Sequence, residues 1–148
     1  MTRAATEYDD GPPTQQVMTY RGRNLRYLNL ARKVAHCSLH EDYRHGAVLV
    51  KGGSVISTSC NKNHFSSFAT RFCVEHDGVA TLHAELGAIL GVDRNITEGA
   101  SIYVCRVGKD NGFRISKPCS MCFAAMRHVG IKRAIWTIDD HNCGMVKL

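Results

Sequence analysis

Two short segments of the chain carry side chains that commonly bind metals. The first is TLHAEL at Thr81–Leu86, and the second is KPCSMC at Lys117–Cys122. Each alone has an ordinary explanation, because a carboxylate suits the positive end of a helix dipole and a Cys-x-x-Cys pair occurs in several contexts. Together, His83, Cys119 and Cys122 supply one nitrogen and two sulfur ligands, a set that zinc prefers. Three protein ligands leave a fourth position open, as in catalytic zinc sites.

Both segments are predicted to begin a helix, which places the candidate ligands at helix N-termini. Cys119 and Cys122 are three residues apart, so their side chains project from one face of that helix. A helix N-terminus lowers the pKa of a thiol and disfavours a charged imidazole, so both residue types are held in the form that binds metal. Two such helices that start side by side on a sheet bring His83 to the cysteines.

Glu85 lies two residues beyond His83, where it is poorly placed to bind the metal and well placed to reach a water molecule beside it. Zinc lowers the pKa of such a water. Glu85 is expected to accept the proton and to deliver protons to a ring nitrogen and to the departing amine. The pattern therefore predicts hydrolytic deamination of an electron-poor ring, with Glu85 as the catalytic residue.

The elements that must hold these residues alternate along the chain. Apolar spacing and turn signals predict a helix at 24–39, strands at 45–50 and 54–60, a helix at 81–92, a strand at 100–107, a helix at 119–129, a strand at 131–138 and a short return strand at 145–148. Gly52 and Gly53 mark a hairpin between the first two strands. This order predicts an α/β fold, a mixed sheet with helices packed on it.

Length and composition favour one globular domain. The 148 residues suffice for a single core, and no apolar run approaches the eighteen or so residues of a membrane span. We assign residues 1–20 to a flexible tail and 21–148 to the domain. The start lacks the pattern of a secretory or mitochondrial address, and seven cysteines, an odd number, argue against a disulfide framework. A cytoplasmic protein without a membrane partner is expected.

The loop at 61–80 is predicted to bind substrate, because a long irregular segment in a compact domain is usually functional or disordered. It holds Phe65 and Phe68, which are able to stack on a base. Eighteen basic and ten acidic residues follow residue 20, a net charge of +8 that suits phosphate-bearing partners. Four basic residues near the predicted site are candidate phosphate contacts: Lys62, Arg71, Arg114 and Lys117.

His-x-Glu followed by Pro-Cys-x-x-Cys resembles the signature of zinc-dependent cytidine and deoxycytidylate deaminases, and the similarity extends from about Leu25 to Ile138. This resemblance implies a cytidine-deaminase-like three-layer α/β/α fold with a mixed sheet of four to five strands, usually assembled as a homo-oligomer. It also assigns the zinc ligands and the Glu85 proton shuttle as above. Asn61 then corresponds to the residue that holds sugar and base, and the backbone of Ala84 contacts the base edge.

The resemblance favours deamination of dCMP to dUMP, in pyrimidine nucleotide metabolism. One alternative is an enzyme that deaminates cytosine or adenine in single-stranded DNA or RNA. Another is a non-catalytic zinc-stabilised binding module, which needs a fourth protein ligand such as Cys105. Some deoxycytidylate deaminases hold a second, structural zinc, for which the candidates here are His64, Cys73 and His76, although packing and solvation explain these three residues more simply.

Overall fold

The computed structural model describes residues 15–40, 42–65 and 81–148, with side chains omitted at 63–65 and 81–82. The strands are β1 (Gln16–Thr19), β2 (Arg44–Lys51), β3 (Ser54–Cys60), β4 (Lys62–Phe65), β5 (Thr81–Leu82), β6 (Ser101–Val107), β7 (Phe113–Arg114), β8 (Arg133–Thr137) and β9 (Asn142–Lys147). The helices are α1 (Gly22–Ala35), α2 (Ala84–Ile89), α3 (Arg94–Thr97) and α4 (Ser120–His128).

The main sheet has seven strands, in the order β1-β9-β8-β6-β2-β3, with β7 paired to the end of β6. Its pairs are antiparallel except for β6 and β8, which run parallel and are joined through α4. A separate two-stranded sheet pairs β4 with β5. The mixed α/β class is therefore as predicted, and so is the hairpin between β2 and β3 at Gly52 and Gly53.

Helices cover both faces of the sheet, which gives the expected three layers. Side chains alternate across a strand. Along β2, Ala47 and Leu49 accordingly pack against α2 and α4, while Val48 and Val50 pack against α1. The two cores thus share one sheet, and α2 and α4 lie together on the same face.

Gly46 on β2 permits the close approach of α1. A Cβ built at Gly46 would lie 2.1 Å from the carbonyl oxygen of Ala31 and 2.6 Å from the backbone nitrogen of Ala35. The helix presents Ala31 and Ala35 at this contact, and both are fully buried. Three small residues therefore set the distance between α1 and the sheet.

The strand count and the start of the domain differ from the sequence-based prediction of four to five strands and a tail through residue 20. Gln16–Thr19 form β1, which pairs with β9 at the sheet edge, so these four residues belong to the domain. The strand β7 extends a hairpin with β6. Both strands are short, and both exist through pairing rather than through an apolar pattern of their own.

The return strand predicted at 145–148 is longer in the structure, since β9 begins at Asn142 and pairs antiparallel with β8. The helix predicted at 81–92 begins later, at Ala84, because Thr81 and Leu82 pair with β4. Within the described ranges, the helices are all too short or too polar to cross a bilayer.

Candidate active site

The three predicted metal ligands lie at the N-termini of two neighbouring helices. His83 is the N-cap residue of α2, and Cys119 is the N-cap residue of α4. Cys122 follows within the first turn of α4 and is fully buried. The side chains of these two cap residues contact each other, Sγ of Cys119 against Nδ1 of His83. The side-by-side start of α2 and α4 thus assembles the set that the sequence predicts.

The ligand atoms are spaced as zinc requires. Nδ1 of His83 lies 3.3 Å from Sγ of Cys122 and 3.9 Å from Sγ of Cys119, and all three atoms fall within 4.8 Å of one another. A tetrahedral zinc, bound at about 2.0–2.1 Å by nitrogen and about 2.3 Å by sulfur, holds such atoms roughly 3.6 Å apart. One nitrogen and two sulfurs at this spacing fit the metal.

Hydrogen bonds among the ligands shift their pKa values. The thiol of Cys122 and then the imidazole of His83 stabilise the Cys119 thiolate, which lowers the pKa of Cys119 to about 4. The same bond from Cys119, together with burial, raises the pKa of Cys122 well above its ordinary value. Hydrogen bonding to Cys119 raises the pKa of His83. The raised pKa of His83 is opposite in direction to the effect expected at a helix N-terminus, because its hydrogen bond to Cys119 favours the protonated ring.

Glu85 is buried beside this group, with 5% of its surface exposed. Burial, the largest influence, raises the pKa of its carboxyl group, while the nearby His83 and a hydrogen bond with Cys122 act in the opposite direction. A carboxyl group whose pKa is raised holds a proton more readily than an ordinary carboxylate, as a group that takes up and gives back a proton must. Glu85 lies beside the metal ligands, and its catalytic role stays a prediction.

A cleft of about 380 Å³ opens over these residues. Its lining includes His83, Ala84, Glu85 and Cys119. The other described lining residues are His40, Tyr43, His45, Asn61, Lys62, Ser116 and Lys117. Cys119 is exposed toward solvent, so the metal position is approached from the cleft. A cleft of this size accommodates a small molecule.

The predicted substrate residues fall into two groups. Asn61, Lys62, Ala84 and Lys117 line the cleft. Arg114 is not among the described residues of its lining, and its guanidinium pairs with Asp110 at 2.8 Å within the hairpin of β6 and β7. Its predicted phosphate contact stays a prediction.

Several predicted residues lie beyond what the structure describes. Phe68, Arg71, Cys73 and His76 fall in the segment 66–80, and His64 and Phe65 are described through their backbone in β4 alone. Their predicted roles, including the second zinc, stay predictions. Within the described ranges, His83, Cys119 and Cys122 are the one group with the composition and spacing of a metal site.

Cys105 is not a fourth ligand. It is fully buried among residues of α1 and the sheet, on the face opposite to α2 and α4. Burial raises the pKa of the Cys105 thiol to about 12, so it stays protonated. A closed site built from Cys105 is therefore excluded by the fold.

Sequence reasoning missed four of the described residues of the cleft wall: His40, Tyr43, His45 and Ser116. Ser116 is buried, and its hydroxyl donates to the carbonyl of Val104 at 2.9 Å, which anchors the segment just before the cysteines. Tyr43 and His45 stand at the start of β2, and no motif marks them. Their proximity to His83 follows only from the order of strands.

Comparison with known proteins agrees with this geometry. The sequence model of the cytidine and deoxycytidylate deaminase zinc-binding region matches residues 22–138. None of the curated proteins searched matches the chain. The solved structure of dCMP deaminase from the cyanophage S-TIM5, in apo form, is similar with a TM-score of 0.54 at 19% identity, over 78% of this chain and 82% of that one. RibD of Acinetobacter baumannii is similar with a TM-score of 0.50 at 16% identity, over 78% of this chain and 28% of RibD.

The chain belongs to the cytidine and deoxycytidylate deaminase family. It is accordingly a zinc-dependent hydrolase, and His83, Cys119 and Cys122 are the residues able to hold the metal. At identities below 20%, the two solved structures show the shared fold and leave the substrate open.

Proposed function

We propose that the protein deaminates cytosine in a mononucleotide, with dCMP converted to dUMP as the favoured reaction. The observation that carries this proposal is the presence of Lys62 and Lys117 in the same cleft as Glu85 and the metal ligands. Both lysines are exposed, and neither forms an ion pair with a carboxylate in the described part of the chain. Two exposed lysines that line one small cleft suit a single terminal phosphate.

Glu85 is proposed to move the protons of the reaction. Zinc, when bound, supplies a Lewis acid that lowers the pKa of a water molecule. The carboxylate of Glu85 accepts a proton from a water molecule, whose oxygen bonds to the ring carbon that carries the amine, and donates that proton to the ring nitrogen. The remaining proton of the added hydroxyl then passes through Glu85 to the amine, the carbon–nitrogen bond breaks, and ammonia leaves. The backbone of Ala84, next to Glu85, is proposed to orient the edge of the base.

The lysines are proposed to distinguish the nucleotide from the nucleoside. Replacing Lys62 or Lys117 with alanine removes one charge-assisted hydrogen bond, which contributes about 1.5–3 kcal/mol. We therefore expect the KM for dCMP to rise by about 10- to 100-fold, with little change for deoxycytidine, which lacks the phosphate. Lys147→Ala is the matched control, because Lys147 is exposed on β9 and does not line the cleft.

A substrate panel tests the proposal directly. Purified zinc-loaded protein is assayed on deoxycytidine, dCMP, dCTP and a cytosine-bearing oligonucleotide across a salt series. Several phosphate contacts made together by a polymer give an affinity that falls steeply with salt, whereas one terminal phosphate gives a shallow dependence. Strong turnover of the oligonucleotide with negligible turnover of dCMP would overturn the proposal in favour of the polymer substrate.

The family resemblance also leads us to propose a homo-oligomer in the cytoplasm. Sedimentation velocity of the purified protein tests the assembly, and a monomer at micromolar concentration would contradict it.

A further inference from the structure

His45 is a cleft residue whose imidazole forms no hydrogen bond with the described residues. Its imidazole lines the cleft, and neither ring nitrogen bonds to any side chain or backbone group within the described ranges. A neutral imidazole offers one donor and one acceptor. Glu85 is proposed to transfer the protons, and His83 binds the metal. The proposed reaction therefore assigns no role to His45.

His45 lies beside the start of β4 and lines the cleft that holds His83. Its backbone is hydrogen-bonded to Asn61, the residue just before Lys62, and its imidazole shares the cleft wall with His83 and Lys62. His83 marks the end where the base must react, next to Glu85. Lys62, at the start of β4, marks the region where a phosphate is proposed to bind. The group of a nucleotide that lies between its base and its phosphate is the sugar.

Asn61 fixes this part of the wall. Its side-chain oxygen accepts a hydrogen bond from the backbone nitrogen of His45 at 3.0 Å, and its side-chain nitrogen donates to the carbonyl of Tyr43 at 2.8 Å. The backbone nitrogen of Asn61 also donates to the carbonyl of His45 at 3.3 Å. Asn61 therefore holds the start of β2 against the end of β3, and so positions the imidazole of His45.

We propose that His45 is a substrate-binding residue whose imidazole hydrogen-bonds to the 3′-hydroxyl of the nucleotide sugar. In dCMP this is the one free sugar hydroxyl, and a hydroxyl both donates and accepts, as the imidazole does. The inference rests on the proposed function for the identity of the sugar, and it assigns to Asn61 a positioning role in addition to its predicted contact with the substrate.

The test compares His45→Leu with His45→Asn on substrates with and without the 3′-hydroxyl. Leucine fills similar volume without a polar atom, while asparagine keeps a donor and an acceptor. We expect His45→Leu to lower kcat/KM about tenfold for both dCMP and deoxycytidine, the loss of one hydrogen bond, and His45→Asn to recover part of it. On the 2′,3′-dideoxy analogue of dCMP, wild type and His45→Leu should differ less than twofold.

His141→Asn serves as the matched control, since His141 is exposed in the turn before β9 and lies outside the cleft. Zinc content and thermal unfolding of each variant separate misfolding from lost binding. An equal loss on the dideoxy analogue, or no loss on dCMP, would overturn the role of His45. Failure of wild type on dCMP with activity on deoxycytidine would instead overturn the proposed nucleotide substrate, and the His45 comparison then proceeds with deoxycytidine and its dideoxy analogue.

Discussion

Replacing Glu85 with glutamine is expected to abolish most of the deamination while leaving the zinc site intact. Glutamine has nearly the same size and shape as glutamate, and the 5% exposure of Glu85 means that a smaller side chain would leave a cavity in addition to removing the carboxyl group. Because Glu85 is not one of the three ligands, the metal content should stay at one zinc per chain. The substitution thus isolates proton transfer from metal binding.

The size of the effect follows from the role of the carboxyl group. Positioned acid–base groups contribute about 10²- to 10⁴-fold to a rate, and each decade corresponds to about 1.36 kcal/mol, so the barrier should rise by about 2.7–5.4 kcal/mol. The loss should appear in kcat and kcat/KM together, since proton transfer belongs to the transition state. KM itself should change little.

The assay follows the absorbance change as cytosine becomes uracil, with zinc measured in the same samples by elemental analysis. Glu98→Gln is the matched control, because Glu98 is an exposed carboxylate after α3 and lies outside the cleft. Near-normal activity of Glu85→Gln would refute the proton-transfer role. Loss of zinc from Glu85→Gln would also refute the proton-transfer role, because Glu85 would then be needed to bind the metal.

Three further predictions concern the metal, the packing of α1 and the response to pH. Cys122→Ala should lose the zinc and unfold at a lower temperature, since ligand thiolates contribute folding free energy through the metal; a folded variant with full zinc would contradict the assignment. Gly46→Ala should destabilise the fold by about 3 kcal/mol or more in urea unfolding, because its Cβ would overlap the backbone of α1 at 2.1 Å. Gly99 has a positive φ and open space around it, so Gly99→Ala should cost only about 1–2 kcal/mol. Equal values for the two variants would show that no clash exists. Burial and the neighbouring Arg106 lower the pKa of His45 to about 4 from 6.5. Between these two pH values the unfolded chain therefore binds a proton that the folded protein does not. The free energy of unfolding accordingly decreases as the pH falls below 6.5. About 2 kcal/mol should disappear between pH 7 and pH 5 in wild type and be absent in His45→Asn; the same pH slope in both proteins would disprove the shift.

The metal site was predictable because each of its ligands is marked by residues next to it in the sequence. A helix begins at a cap residue, and both His83 and Cys119 are cap residues whose neighbours in sequence signal the helix start, including Pro118 before the cysteines. The strands β2, β6 and β8 were predictable from apolar runs, since they are buried in the centre of the sheet.

The remaining features depend on pairing between distant parts of the chain. Gln16–Thr19 are polar and mostly exposed, and they form β1 only because β9 lies beside them. His45 joins the cleft because β2 lies between β6 and β3 in the sheet. Arg114 is predicted as a phosphate contact from its place before the cysteines, and in the structure its guanidinium lies beside Asp110, four residues earlier. Spacing in sequence does not show which acidic group lies beside an arginine.

The pairing of β1 with β9 has a practical consequence for rearranging the chain. Gln16 lies opposite Met145, so the start of β1 and the last residues, up to Leu148, leave the sheet at the same corner. A short glycine-rich linker from Leu148 to Gln15 would join these ends, and new ends opened between Gly52 and Gly53 would fall in an exposed turn. Such a circular permutant would keep every described strand pair and would lose only the covalent link between β2 and β3. Zinc retention by the permutant would show that the order of segments along the chain is separable from the assembly of the metal site.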